Sequence, residues 1–284
     1  MRFLTAIALM LSSVSCLAWS DTGHKAICEI AYQELDAAAR VEVDRLIGAD
    51  LEYSSFAESC VWADGPPRQR PPDHFMNFPR TAQAVTVADC VTAETCLFTA
   101  IGVDSRILAA SGASDAERLV ALKLLGHWLG DIHQPFHASF GDDRGANRVE
   151  AILEHNGESV DTNLHNVWDY WIVSKRLGED YRVLATNLRR SVTDAERDQW
   201  RRSGMTEWAN ESFQIAITAD TRYCVQQSGA CWYSASNYSL DDGETRRQEA
   251  LGEEYFTAHA DNVRRRLSQA GIRLAALLNA LLAP

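Results

Sequence analysis

The chain has 284 residues, of which 46% are hydrophobic, so it is long and apolar enough to bury a large core. It carries 27 basic and 39 acidic residues, which gives a formal net charge of −12. This balance excludes a broad basic surface that tracks along nucleic acid, and an anionic substrate would need positive charge supplied locally, for example by bound metal.

The first eighteen residues have the pattern of a signal peptide. A short positive start precedes an apolar run over residues 3–11 and a small-residue cleavage pattern that ends at Ala18. The apolar run is too short to cross a membrane, and no later segment is long enough. We therefore predict a secreted or periplasmic protein without stable membrane association, whose mature chain begins at Trp19. A lipoprotein anchored through Cys16 is the alternative.

Six of the seven cysteines lie after the predicted cleavage position, and an even number in an exported chain predicts disulfides. Proximity in sequence suggests the pairs Cys28–Cys60, Cys90–Cys96 and Cys224–Cys231, although fifteen pairings are possible in principle. Zinc–thiolate binding is the rival interpretation, but the sequence contains no C-x-x-C motif.

Hydrophobic periodicity predicts a mostly helical chain forming one domain. We predict helices over residues 22–47, 114–131, 163–177, 179–192, 194–219 and 245–282. Ser114 and Glu117 form a capping box at the start of the second helix. Five of the seven prolines fall between the first two helices, so that stretch is predicted to be a rigid surface loop. Residues 148–160 predict a small β-hairpin around Asn156-Gly157.

Helical spacing places polar side chains on inward stripes of three predicted helices. The stripes are Val120–Leu124–His127–Asp131, His24–Cys28–Ala31–Leu35 and His165–Asp169–Ile172. A single inward histidine is usually a hydrogen-bonded core residue, but several on one inner surface would create a costly polar core. Neutral imidazole and carboxylate together are a ligand set that zinc accepts. The pattern therefore favours a metal centre, although spacing alone names no enzyme.

Five motifs carry a family resemblance. They are W-S-D-T-G-H from Trp19, W-A-D at 62–64, H-F at 74–75, H-W-L-G-D-I-H-Q-P-F-H at 127–137 and N-L-H-N-V-W-D at 163–169. In this order they resemble the zinc-dependent single-strand nucleases, the class I nucleases and 3′-nucleotidases, which are related in fold to bacterial zinc phospholipase C. The resemblance implies an all-α, single-domain fold over residues 19–284 with a small β-hairpin.

The resemblance also implies three Zn2+ ions. Asp64, His74, His127 and Asp131 would hold one, the amino nitrogen and carbonyl oxygen of Trp19 with His24 and Asp131 a second, and His137, His165 and Asp169 the third. Asp131 would bridge the first two ions. The Trp19 α-amine becomes a ligand only after cleavage and deprotonation, so metal must compete there with a proton.

The implied activity is hydrolysis of single-stranded DNA and RNA to 5′-phosphate products, with 3′-nucleotides as further substrates, by a monomer. A metal pair that shares a carboxylate can lower the pKa of bound water, and Asp64 would orient that water or accept its proton. The third ion would stabilise the departing 3′-oxygen. Phe75 would stack a base and Asn77 would hydrogen-bond a base edge, against the alternatives of core packing for Phe75 and a turn role for Asn77.

Two other functions stay open at this stage. A zinc-dependent phospholipase C would share the metal ligands, but the aspartate that ends N-L-H-N-V-W-D fits the nucleases better than the glutamate expected of the lipase. A zinc-binding interaction protein without turnover would not need Asp64. We expect His133 to pack or support ligands and His155 and His259 to lie on the surface. Ala146 replaces one of two adjacent glycines of the family's loop, which leaves the conformation of this loop open.

Overall fold

The computed structural model describes residues 19–240 and 246–283, so the predicted signal peptide lies outside the described residues. The chain is mostly helical. The helices are α1 (Asp21–Glu34), α2 (Ala37–Ile47), α3 (Phe56–Ser59), α4 (Leu97–Ala109), α5 (Asp115–Ile132), α6 (Leu164–Asn166), α7 (Tyr181–Ser191), α8 (Asp194–Arg201), α9 (Met205–Ala216) and α10 (Glu253–Leu281). Within the described ranges, no helix combines the length and the apolar character that crossing a membrane requires.

Short 3-10 and π-helical turns complete the helical part of the fold. The 3-10 turns are Trp62–Asp64, Pro71–His74, Pro135–His137 and Ala219–Thr221, and the π-helical turns Val167–Trp171 and Val173–Leu177 extend α6. The prediction of a helix over residues 163–177 is confirmed, because α6 and the two π-helical turns cover this range. Asn163 caps α6 by accepting from Asn166 N at 2.8 Å. The predicted capping box of α5 is confirmed as well: Ser114 N donates to Glu117 at 2.8 Å.

The described residues form three small sheets, where the sequence predicted one hairpin. Their strands are β1 (Met76–Phe78), β2 (Ala138–Phe140), β3 (Glu150–His155), β4 (Glu158–Asn163), β5 (Val225–Gln227), β6 (Ala230–Trp232) and β7 (Gln248–Leu251). The predicted hairpin is β3–β4, with Leu153 opposite Val160 and a turn in which Asn156 and Gly157 have φ of 55° and 81°. β7 adds to β3 in parallel, β1 pairs with β2 in parallel, and β5 pairs with β6 antiparallel.

Three predicted helices were too long. The helix over residues 22–47 is divided because Leu35 is extended and the Asp36 side chain accepts from Ala39 N at 2.9 Å, which starts α2. The helix over residues 194–219 is divided before Gly204, which has extended backbone and begins α9. The last predicted helix begins only at Glu253, because residues 248–251 form β7; residue 245, where it was predicted to begin, lies outside the described residues.

The prediction that the proline-rich stretch is a surface loop was wrong, because part of this stretch is buried. Ala63, Asp73 and His74 within it are buried, and its turns contact α4 and α5. The helix α4 was missed. Its inward Leu97, Ile101 and Leu108 have helical spacing that could have been recognised.

The core forms where α1 crosses α5, α7 and α10, with α4 packed along α5. The three predicted disulfides are confirmed, and Cys28–Cys60 joins α1 to the residue that follows α3. This bridge packs directly against Gly126 of α5, where a side chain would overlap both sulfur atoms. The close approach of α1 to α5 brings the two helices that carry His24, His127 and Asp131 together.

Candidate metal centre

Four predicted ligands converge where α5 meets the proline-rich stretch. His127 and Asp131 lie one helical turn apart on α5, and both are fully buried. Asp131 Oδ2 lies 3.1 Å from His74 Nδ1 and 3.3 Å from His127 Nε2. Asp64 Oδ1 lies 3.5 Å from His74 Nδ1, and Asp64 Oδ2 lies 3.6 Å from His127 Nε2. These four side chains surround one small space.

His24 of α1 reaches Asp131 from the other side. Its Nε2 lies 3.5 Å from Asp131 Oδ1, and its ring stacks on the His127 ring with centroids 4.0 Å apart. Trp19 is buried next to it, and the Trp19 indole donates to Gly130 O at 2.9 Å. The backbone next to Trp19 is also held in place, because Ser20 N donates to Asp169 O at 3.0 Å. Asp131 thus stands between two groups of ligand-type side chains.

The third group joins the turn after α5 to the helical segment α6. His137 Nε2 and His165 Nε2 are 3.1 Å apart, and His165 Nε2 lies 3.2 Å from Asp169 Oδ2. Gln134 donates from its side-chain amide to Asp169 Oδ1 at 2.5 Å. Asp131 Oδ1 lies 3.6 Å from His137, so this group adjoins the other two. The described residues therefore contain three neighbouring His/Asp groups that could hold metal ions.

Backbone carbonyls orient four of the imidazole rings. His127 Nδ1 donates to Cys60 O at 2.8 Å, His74 Nε2 to Gln69 O at 2.9 Å, His137 Nδ1 to His74 O at 2.5 Å, and His165 Nδ1 to Gly145 O at 2.6 Å. A carbonyl can only accept, so each of these contacts fixes a proton on the nitrogen that it meets. In His74, His127 and His165 this nitrogen faces away from the centre, whereas His137 Nδ1 also lies 3.6 Å from Asp131 Oδ1. Such bonds typically orient metal-ligating histidines.

The inward-facing ring nitrogens then carry no proton, so each can only accept a hydrogen bond, and they lie opposite one another. His74 Nδ1 and His127 Nε2 are 3.1 Å apart, and the His137–His165 contact has the same length. Two lone pairs at this distance repel each other unless a proton or a metal cation lies between them. Among the described residues, both His24 ring nitrogens, both Asp131 oxygens and Asp169 Oδ2 are buried without a hydrogen bond. The chemistry and burial of these atoms fit bound metal cations.

The pKa directions of His24, His137 and Asp131 match the protonation states that metal binding requires. Two other proposed ligands shift the opposite way: Asp131 and Asp64 outweigh burial and raise the pKa of His127, and burial raises the pKa of Asp169. Burial lowers the pKa of His24, with His127 adding to the effect, and burial holds the pKa of His137 well below its usual range. Burial alone would raise the pKa of Asp131, but His127 and His137 outweigh it and hold that pKa well below its usual range. Neutral imidazole and ionised carboxylate are the forms that bind metal.

The C-terminal end of α5 is held by side chains that the sequence did not single out. Arg266 of α10 donates to His133 O at 3.1 Å and to Ser212 Oγ at 2.7 Å, and Ser212 Oγ donates to Ile132 O at 2.6 Å. These bonds satisfy carbonyls that a helix end leaves without partners. Glu211 forms ion pairs with both Arg266 and Arg273. We call Arg266, Arg273, Glu211 and Ser212 the clamp. It contacts the turn that connects Asp131 to His137.

The other predicted histidines have structural surroundings. His133 packs and supports, as predicted: Nδ1 donates to Leu129 O at 2.7 Å, and Nε2 accepts from Arg273 at 2.9 Å. The surface prediction for His259 was wrong, because it is 1% exposed and packs at tilted ring angles against Trp168 and Tyr255. Val120 departs from its predicted stripe and is exposed, because α5 emerges from the core there.

A cleft of about 450 Å³ opens beside the third group of ligands. Its lining includes His137, His165 and the two predicted substrate residues, Phe75 and Asn77. Phe75 is 37% exposed, which is unusual for a phenylalanine and leaves its ring accessible. The sequence prediction missed two arginines in this lining, Arg68 and Arg144, because an isolated arginine carries no recognisable pattern.

Comparisons with known proteins identify a family and several relatives of this chain. A sequence model of the family described as S1/P1 Nuclease matches residues 19–283. Endonuclease 1 of Arabidopsis thaliana is 30% identical, with 95% of this chain and 90% of the relative covered, and Endonuclease 2 of the same plant is 28% identical, with 95% and 93% covered. Nuclease S1 of Aspergillus oryzae is 26% identical, with 97% of this chain and 96% of the relative covered.

Proposed function

The chain belongs to the S1/P1 nuclease family of phosphodiester-hydrolysing enzymes, and we propose that it is a trinuclear-zinc nuclease that cuts single-stranded DNA and RNA to 5′-phosphate products. We propose 3′-nucleotidase activity as well. The observation that carries the proposal is the pair of 3.1 Å contacts between inward-facing histidine nitrogens beside an accessible cleft. Two neutral ring nitrogens at this distance repel each other unless a proton or a metal cation lies between them, and zinc is the cation that we propose.

The proposed ligand sets overlap the three groups of side chains, but His127, which lies close to both His24 and Asp64, is assigned to one ion only. Asp64, His74, His127 and Asp131 would hold one ion, the Trp19 main-chain nitrogen and oxygen with His24 and Asp131 a second, and His137, His165 and Asp169 the third. Bound zinc supplies Lewis acidity, which makes water nucleophilic near neutral pH and stabilises negative charge on phosphate oxygens.

Asp64 is the residue that we propose to orient the attacking water and accept its proton. Arg68 donates to Asp64 Oδ1 at 2.9 Å, which fixes the carboxylate and leaves Oδ2 to face the centre near His127. We propose that Asp64 and Arg68 together determine where the attacking water is held relative to the phosphorus atom.

Phe75 and Asn77 are the residues that we propose to select single strands. The accessible Phe75 ring offers a stacking surface to an unpaired base, and Asn77 offers its amide to the base edge. The departing 3′-oxygen would lie on the side of the cleft formed by His137 and His165. Because a duplex keeps its bases stacked, it cannot place one on Phe75.

The maturation steps are part of the same proposal. We propose that cleavage after Ala18 releases the Trp19 amine as a ligand, that residues 19–284 form one nuclease domain, and that the enzyme acts outside the cytoplasm as a monomer. The family match begins at residue 19, which supports this boundary.

The test compares four substrates with the purified mature protein: single-stranded DNA, RNA, a 3′-mononucleotide and a phosphatidylcholine emulsion, each with and without chelator. We expect chelator-sensitive cleavage of the nucleic acids to 5′-phosphate products, phosphate release from the 3′-mononucleotide, and three zinc ions per chain by elemental analysis. Chelator-sensitive lipid cleavage without nucleotide products would overturn the proposal in favour of a phospholipase C.

A further inference from the structure

The loop over residues 141–147, which lines the cleft, has an unusual backbone. Three consecutive residues, Arg144, Gly145 and Ala146, have φ of 57°, 60° and 65°. Left-handed conformation is disfavoured for residues with a Cβ and normally occurs at single positions. Here two of the three residues are not glycine. Strain of this kind persists only where surrounding contacts impose it, and it is concentrated at functional sites.

Buried contacts impose this conformation. Asp143 is fully buried and accepts from Arg80 at 2.5 Å, from the Tyr223 hydroxyl at 2.7 Å and from Ala146 N at 3.0 Å. Arg80 is itself buried, and its guanidinium lies over the Phe140 ring at 4.4 Å. The loop is therefore fixed from the core side at the residue directly before Arg144.

The other side of the loop touches the candidate metal centre. Gly145 O accepts from His165 Nδ1 at 2.6 Å, so the residue after Arg144 helps to orient a predicted ligand. Asn147 donates from its side-chain amide to Arg144 O at 2.7 Å, which closes the turn. Arg144 is consequently carried on a rigid support at the His165 side of the cleft.

The Arg144 side chain is left available for a ligand. It is exposed and lines the cleft, and within residues 19–240 and 246–283 its guanidinium makes no hydrogen bond or ion pair. Arg68, the other arginine in the lining, is engaged in an ion pair with Asp64. In a protein with a net charge of −12, an unpaired arginine that lines a cleft and is carried by a strained loop is suited to contact an anion.

We propose that Arg144 binds the phosphate on the 5′ side of the nucleotide whose 3′-oxygen leaves. This inference rests on the proposed function. With the base on Phe75 and the departing oxygen beside His137 and His165, that nucleotide fills the cleft, and its 5′-phosphate is the next anion along the strand. Arg144 makes the enzyme prefer a nucleotide embedded in a strand over one without a 5′-phosphate.

The test compares the thymidine dinucleotides TpT and pTpT, with TpTp as the isomer of equal charge scored only on its internal bond. For the unmodified zinc-loaded protein we expect kcat/KM to be about tenfold higher for pTpT than for either TpT or TpTp, as a charge-assisted hydrogen bond to phosphate provides. Arg144→Asn should lower the pTpT-to-TpT ratio to about one, because asparagine tolerates left-handed backbone but lacks the charge.

Two further variants isolate the guanidinium. Arg144→Lys should keep part of the preference, whereas Arg202→Asn, which removes an exposed arginine at the end of α8, should keep all of it. With oligo(dT), Arg144→Asn should also reduce the slope of log kcat/KM against log salt by about 0.7. Equal ratios in the unmodified protein and Arg144→Asn would overturn the inference. If neither the dinucleotides nor oligo(dT) are cut, the proposed function itself fails, so the two failures are distinguishable.

Discussion

Gly130 and His24 are in direct contact where α5 crosses α1. A Cβ added to Gly130 would lie 2.6 Å from His24 Nδ1 and 2.7 Å from His24 Cε1, closer than real Cβ atoms approach other heavy atoms. The ring reaches Asp131 only because residue 130 has no side chain. Gly130 lies in the same helical turn as Asp131, so the segment that supplies the carboxylate that we propose as the bridge also supplies the space for the His24 ring.

Gly130→Ala should therefore displace His24. We expect zinc content to fall from three ions to two and kcat to fall about 100-fold, the effect of misplacing a catalytic group by about an ångström. Elemental analysis and steady-state kinetics on single-stranded DNA measure the two effects. Gly102→Ala in α4 is the matched control, because the nearest side-chain atom there is 3.6 Å away and alanine should stabilise the helix by up to about 1 kcal/mol. Three ions and full activity in Gly130→Ala would contradict the role of His24.

Asp131→Asn should remove two zinc ions, because both Asp131 oxygens face ligand groups, one towards His24 and one towards His74 and His127. His137→Ala should remove only the third ion. Elemental analysis after gel filtration distinguishes the two variants. If both retain three ions, the proposed division of the ligands is wrong.

A mature chain that keeps Ala18 ahead of Trp19 should bind two ions and lose most of its activity. The added peptide bond converts the Trp19 amine into an amide, which is no longer a ligand at neutral pH. The control is the melting temperature of the two zinc-free proteins, with and without Ala18. The two temperatures should be equal, because the buried Trp19 indole keeps its hydrogen bond to Gly130 O. Undiminished zinc content would remove Trp19 from the ligand set.

Phe75→Leu should raise KM for single-stranded DNA about 10- to 100-fold, corresponding to about 1–3 kcal/mol of lost stacking, without changing zinc content. Phe75→Tyr keeps the aromatic face and should keep KM within about threefold of the unmodified value. A structural role for the ring would instead appear as a lower melting temperature in Phe75→Leu with KM unchanged.

Arg266→Met should lower the free energy of unfolding by about 3 kcal/mol, because it leaves buried carbonyls and part of the Glu211 charge without a partner. Urea denaturation of the zinc-free protein measures this effect separately from metal binding. Arg264→Met on the same helix is the control. Its side chain is 45% exposed and pairs with an exposed Asp261, so we expect less than about 1 kcal/mol. Equal losses in the two variants would argue against the clamp.

Local pattern was sufficient for several features. Ser114 with Glu117 predicted the start of α5, Asn156-Gly157 predicted the β3–β4 turn, and the spacing of His127 and Asp131 predicted that both face inward. In each case the interacting groups are a few residues apart, so the sequence alone fixes their geometry. The disulfides Cys90–Cys96 and Cys224–Cys231 belong to the same class, because their loops are short.

Tertiary structure alone decided the rest. Arg266 contacts His133 across 133 positions, and Arg80 contacts Asp143 across 63. Neither pair leaves a periodic signal, because nothing in the local sequence of an arginine names its partner. The left-handed backbone at Arg144 and Ala146 is likewise imposed by buried contacts against the preference of the residues themselves. Residue types and local spacing thus determined which side chains can bind metal. Long-range packing determined which arginines lie next to these side chains.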